Sequence, residues 1–163
     1  MVGRGEDRGS VNLVALVHAL SGAAALVVSV YTQTGLLASV EFVKPLGFAI
    51  FVAGMLLFAV AAACLKRAFL GDVEPVTGRM VTTGPYRYVR HPLYLGMFAA
   101  TAGLALAFRS LVGMLITLVV FVPAGIYRAM LEEQALAQKF GADWENYAEQ
   151  TGFLFPRICR AKD

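Results

Sequence analysis

The sequence predicts an all-α integral membrane protein: one domain of residues 1–163, with a bundle of about four transmembrane helices and a cytoplasmic C-terminal helical segment. Three observations predict this class. Hydrophobic residues make up 58% of the chain and charged residues only 15%, whereas soluble domains usually carry about 25% charge. The apolar residues fall into four long runs. Nearly all the charges lie in the short segments between these runs.

Each apolar run is interpreted as one membrane span. The runs cover residues 11–31, 45–65, 93–108 and 111–127, and a membrane helix needs about 20 apolar residues. The first two runs reach this length. The last two are shorter, and only two residues separate them, which predicts a helical hairpin with its turn at the far interface. One continuous helix is the alternative, but it would exceed the thickness of a bilayer.

The first run also has features of a cleaved signal peptide, because Arg4 and Arg8 precede it. A retained anchor is favoured, since the run is longer than the roughly 7–15 apolar residues of a signal peptide and ends without a convincing cleavage site. The positive-inside rule then sets the orientation. With a cytoplasmic N-terminus, all of the 14 Lys and Arg residues except Lys44 and Arg109 face the cytoplasm. Both termini are therefore predicted to be cytoplasmic. The net positive charge is explained by contact with an anionic membrane leaflet and does not indicate binding to nucleic acid.

The first predicted cytoplasmic segment, residues 66–92, combines turns with charge. The chain is predicted to turn at Gly71, a loop signature follows at residues 74–78, and Gly84 with Pro85 predicts a further turn. Pro92 suits the first turn of a helix, where its missing N–H costs nothing. Two arginines, a histidine and three tyrosines lie at this membrane boundary. That composition also suits a simple interfacial anchor.

The second predicted cytoplasmic segment, residues 128–163, continues the fourth helix into water. Arg128 and Glu132 have the i, i+4 spacing of an ion pair, and Gly141 is predicted to break the helix. Apolar residues recur at helical spacing, which predicts packing against the bundle or the lipid headgroups, not a cofactor site. This stripe comprises Met130, Leu131, Leu136, Phe140, Trp144 and Tyr147.

Other polar residues give weaker signals. Cys64 and Cys159 are not expected to pair, and neither has metal-ligand spacing around it, so no metal is predicted. His18 is interpreted as a neutral residue that is hydrogen-bonded inside the bundle. Small residues at one-turn spacing in the third span predict close helix packing: Gly96, Ala100 and Gly103.

The two cytoplasmic segments meet at the ends of the second, third and fourth spans. The first offers fixed positive charge and a histidine, and the second offers the carboxylates of Glu132 and Glu133. A small zwitterion with a carboxylate and an ammonium group would find complements in both. Aromatic rings in the same segments could cover a flat heterocycle.

The stretch Gly84–Gly96, which reads Gly-Pro-Tyr-Arg-Tyr-Val-Arg-His-Pro-Leu-Tyr-Leu-Gly, resembles a family signature. It is similar to that of the isoprenylcysteine carboxyl methyltransferase and phospholipid methyltransferase superfamily. Further matching residues follow in the family's order: Arg128, Glu132, Glu133, Phe140, Gly141, Tyr147 and Pro156. The resemblance covers residues 79–156, about half of the chain.

This resemblance implies an S-adenosylmethionine-dependent methyltransferase without a Rossmann domain, whose cofactor pocket lies at the cytoplasmic membrane edge. His91 and Tyr86 would bind the methionine carboxylate, and Glu132 or Glu133 would bind the ammonium group. Backbone groups near Leu95 and the apolar tail would cover the adenine. The residues implied to line the pocket are Arg90, His91, Pro92, Tyr94, Leu95 and Gly96.

The reaction implied is a one-step displacement at the methyl carbon, which needs mainly positioning and electrostatics. Arg128 would orient a carboxylate acceptor, whereas an amine or thiol would need a proton acceptor, for which Glu133 or Tyr147 are candidates. The acceptor is expected to be lipophilic: the carboxylate of a prenylcysteine-like molecule, or a lipid amine. Only two spans precede the shared core, fewer than in the eukaryotic isoprenylcysteine enzymes, which disfavours a long prenyl tail.

Two alternatives stay open at this point. Residues 139–144 also resemble the C-terminal part of membrane sterol reductases, which use a nicotinamide cofactor but are much longer. The Glu132-Glu133 pair and the short chain favour methyl transfer. The third interpretation is a small membrane protein without enzymatic activity, in which the charged loop serves only as an anchor.

Overall fold

The structure, a computed structural model, describes residues 4–32, 41–65 and 80–157, and only the backbone of residues 4–12. Within these ranges the chain is helical and forms no β-sheet, which confirms the all-α prediction. The predicted turn at Gly71, the predicted loop at residues 74–78 and the side chain of Cys159 lie outside the described residues. The helices are α1 Arg4–Tyr31, α2 Val43–Leu65, α3 Pro92–Ala107, α4 Leu111–Ile116, α5 Val122–Phe140 and α6 Ala142–Gln150.

Three described helical stretches are long and apolar enough to cross a bilayer: Leu13–Tyr31, Val43–Leu65 and Leu111–Phe140. The remaining predicted span is α3, whose 16 residues extend about 24 Å at 1.5 Å per residue. It is therefore shorter than a hydrocarbon core of about 30 Å. Large side chains on the outer faces are exposed, such as Leu56 at 62% and Val119 at 67%. These surfaces suit lipid, as expected for a multi-pass membrane protein.

Helices α2 and α3 pack along a seam of glycines. A Cβ atom added to Gly47 or Gly54 on α2 would lie 2.3 or 2.5 Å from a backbone nitrogen of α3. The same atom on Gly96 or Gly103 of α3 would lie 2.7 or 2.4 Å from a backbone nitrogen of α2. Small residues allow this approach, and van der Waals packing drives helix association in lipid. The predicted close packing of the third span is thus confirmed.

A tight hairpin joins α3 to α4, as predicted. Arg109 adopts the left-handed conformation, with φ of 54°. The Ser110 hydroxyl caps α4 by accepting a hydrogen bond from the Gly113 amide at 3.0 Å. A second bond, 2.6 Å long, joins this hydroxyl to the side chain of Thr32 at the end of α1. The turn therefore also fastens α1 to the hairpin.

The last long helix runs from α4 into α5 through a π-helical turn, Thr117–Phe121. The Val122 amide donates to the Thr117 carbonyl, five residues back. Pro123 follows directly; it has no N–H, and its ring conflicts with the carbonyl four residues before it. The wider turn accommodates that conflict without ending the helix. Helical structure consequently continues from residue 111 to residue 140, well past the predicted span of 111–127.

Gly141 separates α5 from α6, which confirms the predicted helix break. Its φ of 53° lies in the left-handed region that favours glycine. Helix α6 therefore takes a new direction, and the chain returns to the start of α3. There Gly152 forms an isolated parallel bridge with Val89. This return brings the C-terminal segment against the loop that precedes α3.

Candidate functional site

A pocket of about 130 Å³ lies where the end of α2, the start of α3, and α5 and α6 meet. The short 3₁₀ turn Gly84–Arg87 and the residues that follow it form one wall. Polar groups occupy one part of the lining and apolar groups the rest. The lining residues are Leu65, Met80, Val81, Tyr86, Arg90, His91, Leu93, Tyr94, Glu132, Leu136, Phe140, Trp144 and Tyr147.

Glu132 is the carboxylate that lines this pocket. Its Oε1 atom accepts a hydrogen bond of 2.5 Å from the Tyr94 hydroxyl. The same atom lies 3.3 Å from Nε of Arg128, one turn earlier on α5, which confirms the predicted i, i+4 pair. The Glu132 side chain is 25% exposed. Tyr94 and Arg128 therefore fix the carboxylate from α3 and α5 while it still reaches the pocket.

The adjacent Glu133 binds two basic residues of the loop before α3, Arg90 and His91. Its Oε1 accepts from Nε of Arg90 at 2.6 Å and lies 3.0 Å from Nε2 of His91. The Arg90 Nη1 atom donates to the carbonyls of Ala148 at 2.8 Å and Thr151 at 2.7 Å. One guanidinium thus joins α5, the end of α6 and the start of α3. This network holds the Arg90-His91 segment in place.

Backbone hydrogen bonds complete the attachment of the C-terminal segment. The Arg90 amide donates to the Gly152 carbonyl at 2.8 Å, and the His91 amide donates to the Phe153 carbonyl at 3.2 Å. The Phe153 ring packs against the imidazole of His91, with 4.8 Å between centroids, and under the Arg90 guanidinium at 5.8 Å. His91 is only 5% exposed. The backbone bond to Phe153, the Phe153 ring and the Glu133 carboxylate therefore hold His91 in position.

Tyr86, which is buried, and Tyr147, which is half-buried, supply neutral hydroxyl groups. The Tyr86 hydroxyl is buried and has no hydrogen-bond partner among the described residues. The Tyr147 hydroxyl donates to the Tyr86 carbonyl at 2.7 Å. Burial raises the pKa of Tyr147 to about 12. Burial, followed by the charge of Glu132, raises the pKa of Tyr86 above its ordinary value. Both phenols stay protonated at neutral pH, so they act as donors.

The structure brings half of the predicted site residues to the pocket lining: Tyr86, Arg90, His91, Tyr94 and Glu132. The other half lie around it. Arg128 and Glu133 contact the lining residues from α5. Pro92 is fully buried at the start of α3, and the Leu95 amide donates to the His91 carbonyl at 3.1 Å. Gly96 faces the backbone of α2.

Sequence reasoning expected an apolar cover for the adenine but assigned none of the apolar lining residues to it. The stripe on α5 and α6 was predicted to pack against the bundle or headgroups, yet Leu136, Phe140 and Trp144 face the pocket. Trp144 is only 6% exposed. These residues could have been found from this stripe together with Gly141, because the helix break at Gly141 folds the second half of the stripe back over the first. Leu65, Met80, Val81 and Leu93 gave no comparable signal.

Comparison with known proteins gives a family match and two relatives. The family model described as phospholipid methyltransferase matches residues 42–143. The nickel-cobalt-cadmium resistance protein NccN of Alcaligenes xylosoxydans xylosoxydans is 31% identical over 115 residues, 61% of this chain and 53% of the relative. The methanethiol S-methyltransferase of Pseudomonas deceptionensis is 33% identical over 97 residues, 56% of this chain and 34% of the relative.

The chain thus spans about half the length of one relative and a third of the other. The matched region runs from the start of α2 to the start of α6 and contains most of the residues that line the pocket. The family model covers well over half of the 163 residues. This membrane protein belongs to the phospholipid methyltransferase family.

Proposed function

We propose that the protein transfers a methyl group from S-adenosylmethionine to a lipophilic acceptor at the membrane surface. The observation that carries this proposal is that two residues line one pocket: Glu132 with its carboxylate, and Tyr86, whose buried hydroxyl has no partner among the described residues. An amino acid needs such a pair, an anion for its ammonium group and a donor for its carboxylate. Membership of the methyltransferase family supports the same proposal.

The lining offers a complementary group for each part of the proposed cofactor. Glu132 would bind the ammonium group, held in place by Tyr94 and Arg128. Tyr86 and His91 would bind the carboxylate. The apolar wall would cover the adenine, and aromatic rings such as that of Trp144 suit a flat heterocycle. The orphaned Tyr86 hydroxyl is the strongest point of this fit, since a buried donor without a partner costs about 1–3 kcal/mol until a ligand satisfies it.

Within this proposal, Glu133 is a positioning residue, although the sequence suggested it for catalysis. Its carboxylate already binds Arg90 and His91. Arg128 positions Glu132, and Gly96 permits the close approach of α2. Pro92 and Leu95 shape the first turn of α3 behind His91. Tyr147 donates to the Tyr86 backbone, and its raised pKa makes it a poor proton acceptor.

The bound cofactor would supply an electrophilic methyl group. The chain's own residues would bind its amino-acid end, orient it and exclude water, which are the main requirements of such a displacement. Both termini are proposed to be cytoplasmic, on the distribution of Lys and Arg. The pocket would then open toward the cytoplasm, whereas the acceptor would arrive through the lipid.

Three acceptor classes follow from these findings. The sequence suggested a prenylcysteine-like carboxylate or a lipid amine. A thiol joins them because one relative is named for methanethiol S-methylation. A screen of the three classes with labelled cofactor, read by product mass, distinguishes them. Transfer to none would contradict the proposed activity.

Cofactor choice is tested by thermal unfolding of the detergent-purified protein. S-adenosylhomocysteine is expected to raise the melting temperature, and reduced nicotinamide dinucleotide phosphate is expected to leave it unchanged. At 100 times the Kd, a ligand stabilises a protein by about 2.7 kcal/mol. Stabilisation by the nicotinamide cofactor alone would favour a reductase. No response to either ligand would contradict the proposal.

A further inference from the structure

His18 is a buried polar residue of α1 that the proposed cofactor site does not use. Its side chain is 6% exposed, and neither ring nitrogen has a hydrogen-bond partner among the described residues. Aromatic rings surround the imidazole: Phe121 stacks on it at 4.5 Å, and Tyr94 and Phe98 lie 5.5 and 6.5 Å away. The Phe121 backbone approaches the imidazole as a hydrogen-bonding group, but the contact falls outside hydrogen-bond distance and angle.

This lack of partners distinguishes His18 from its polar neighbours on α1. The hydroxyls of Ser21 and Ser29 each donate to a carbonyl one turn earlier, at 3.1 and 2.5 Å. The sequence had suggested that His18 is hydrogen-bonded inside the bundle, but neither ring nitrogen reaches hydrogen-bond geometry with a described residue. An imidazole buried without partners costs free energy, and the described chain does not compensate for it. A ligand that supplies the missing hydrogen bond would.

His18 lies directly behind the candidate site. The Tyr94 ring contacts the imidazole, while the Tyr94 hydroxyl donates to Glu132 at the pocket. Glycines make room for the imidazole and its stacking partner: a Cβ atom on Gly125 would lie 2.7 Å from His18 Cε1, and one on Gly22 would lie 2.7 Å from the Phe121 ring. Phe121 ends the π turn, a feature frequent at functional sites.

We propose that His18 accepts the proton of a thiol acceptor that enters from the lipid and meets the cofactor from the membrane side of Tyr94. This inference rests on the proposed function. The thiol sulfur forms a bond to the methyl carbon, and the bond from that carbon to the sulfonium sulfur breaks, leaving its electron pair on the cofactor. The S–H proton moves to a ring nitrogen of His18. The products are a thioether, S-adenosylhomocysteine and an imidazolium, which returns its proton to solvent.

The surroundings of His18 suit this acceptor class. Phe98 and Phe121 place apolar rings against the imidazole, and this polarity suits an alkyl thiol. The titratable and charged groups that act on the imidazole from the neighbouring helices are Tyr94 on α3 and Arg128 on α5. A carboxylate acceptor would need no proton acceptor. An imidazole without a partner among the described residues therefore favours an acceptor that must lose a proton, and its apolar surroundings favour a neutral thiol over a charged amine.

The kinetic test compares two thiols with His18→Phe, which keeps an aromatic ring but removes both nitrogens. Hexanethiol is protonated at neutral pH, whereas para-nitrothiophenol is already ionised. General-base catalysis contributes about 100-fold or more, so the variant should lose at least about 100-fold in kcat/KM with hexanethiol and less than about threefold with the thiophenol. The variant His18→Gln should show the same contrast. Ser29→Ala is the control, because it removes a satisfied polar group from the same helix.

Equal losses with both thiols would indicate a structural role and overturn the proposal, as would full activity of both variants. S-adenosylhomocysteine must still stabilise each variant as it does the wild type, which shows that the site is folded. If the wild type binds this ligand but methylates neither thiol, the thiol assignment fails and the role of His18 fails with it. If the wild type does not bind it, the proposed function itself fails.

A second readout does not depend on activity. The chain has two histidines, so nitrogen-15 spectra of histidine-labelled protein contain two imidazoles, and His18→Phe identifies their signals. Adding hexanethiol to the complex with S-adenosylhomocysteine should shift the His18 ring nitrogens and leave those of His91 in place. Unchanged His18 signals at saturating thiol would overturn the proposal.

Discussion

The variant Glu132→Gln removes the charge proposed to bind the cofactor's ammonium group while keeping the shape of the side chain. The amide oxygen of glutamine can still accept from Tyr94 and Arg128, which now contact Glu132 Oε1 at 2.5 and 3.3 Å. Hydrogen bonds to charged groups contribute about 1.5–3 kcal/mol. Because the side chain is 25% exposed, the lower end of this range applies. The Kd of S-adenosylhomocysteine should therefore rise about 10-fold to 30-fold.

Isothermal titration of the detergent-purified protein measures this change. Methylthioadenosine provides an internal comparison, since it carries the adenosine but not the amino acid, and its affinity should not change in Glu132→Gln. Glu149→Gln is the matched control, because Glu149 is an exposed residue of α6 outside the pocket lining. Wild-type affinity of Glu132→Gln for S-adenosylhomocysteine would refute the assignment. Equal weakening of both ligands would show that the variant disturbs the pocket rather than the ammonium contact.

Further variants test the other roles. Tyr86→Phe should weaken S-adenosylhomocysteine binding about 3-fold to 10-fold without loss of thermal stability, since the hydroxyl has no partner among the described residues; a lower melting temperature would contradict this. Glu133→Gln should lower the free energy of unfolding by about 2 kcal/mol in denaturant titrations, because it weakens the hydrogen bonds of this carboxylate to Arg90 and His91. Gly96→Ala should cost about 1–3 kcal/mol in the same assay, since its Cβ would lie 2.7 Å from the backbone of α2. Tyr147→Phe should leave the pH dependence of methyl transfer unchanged between pH 6 and 9, because the pKa of Tyr147 is about 12.

Much of the fold could be predicted, because apolar runs indicate where helices lie and the residues between the runs indicate where helices end. Two residues between runs indicated the hairpin at Arg109, and Gly141 indicated the end of α5. The limits of the last span could not be predicted. Pro123 indicates a distortion but not its form, and a π turn keeps the helix continuous where a kink or a break was equally compatible with the sequence.

The polar residues of the candidate site could be predicted from the resemblance. The apolar residues could not, because their position depends on the direction that α6 takes after Gly141, and no local sequence pattern determines that direction. Only the backbone of Gly141 decides that α6 folds back and that Trp144 faces the pocket. The two adjacent glutamates show the same limit. Although the two are neighbours in the sequence, Glu132 lines the pocket and Glu133 faces Arg90 and His91. The reason is that adjacent side chains on a helix point about 100° apart.

The structure of the protein bound to S-adenosylhomocysteine tests the central proposal most directly. The ligand's ammonium group is predicted within hydrogen-bond distance of Glu132, its carboxylate at Tyr86 and His91, and its adenine against the wall that contains Trp144. A ligand bound elsewhere in the protein would contradict this account, as would one bound in this pocket with its amino-acid end turned away from Glu132.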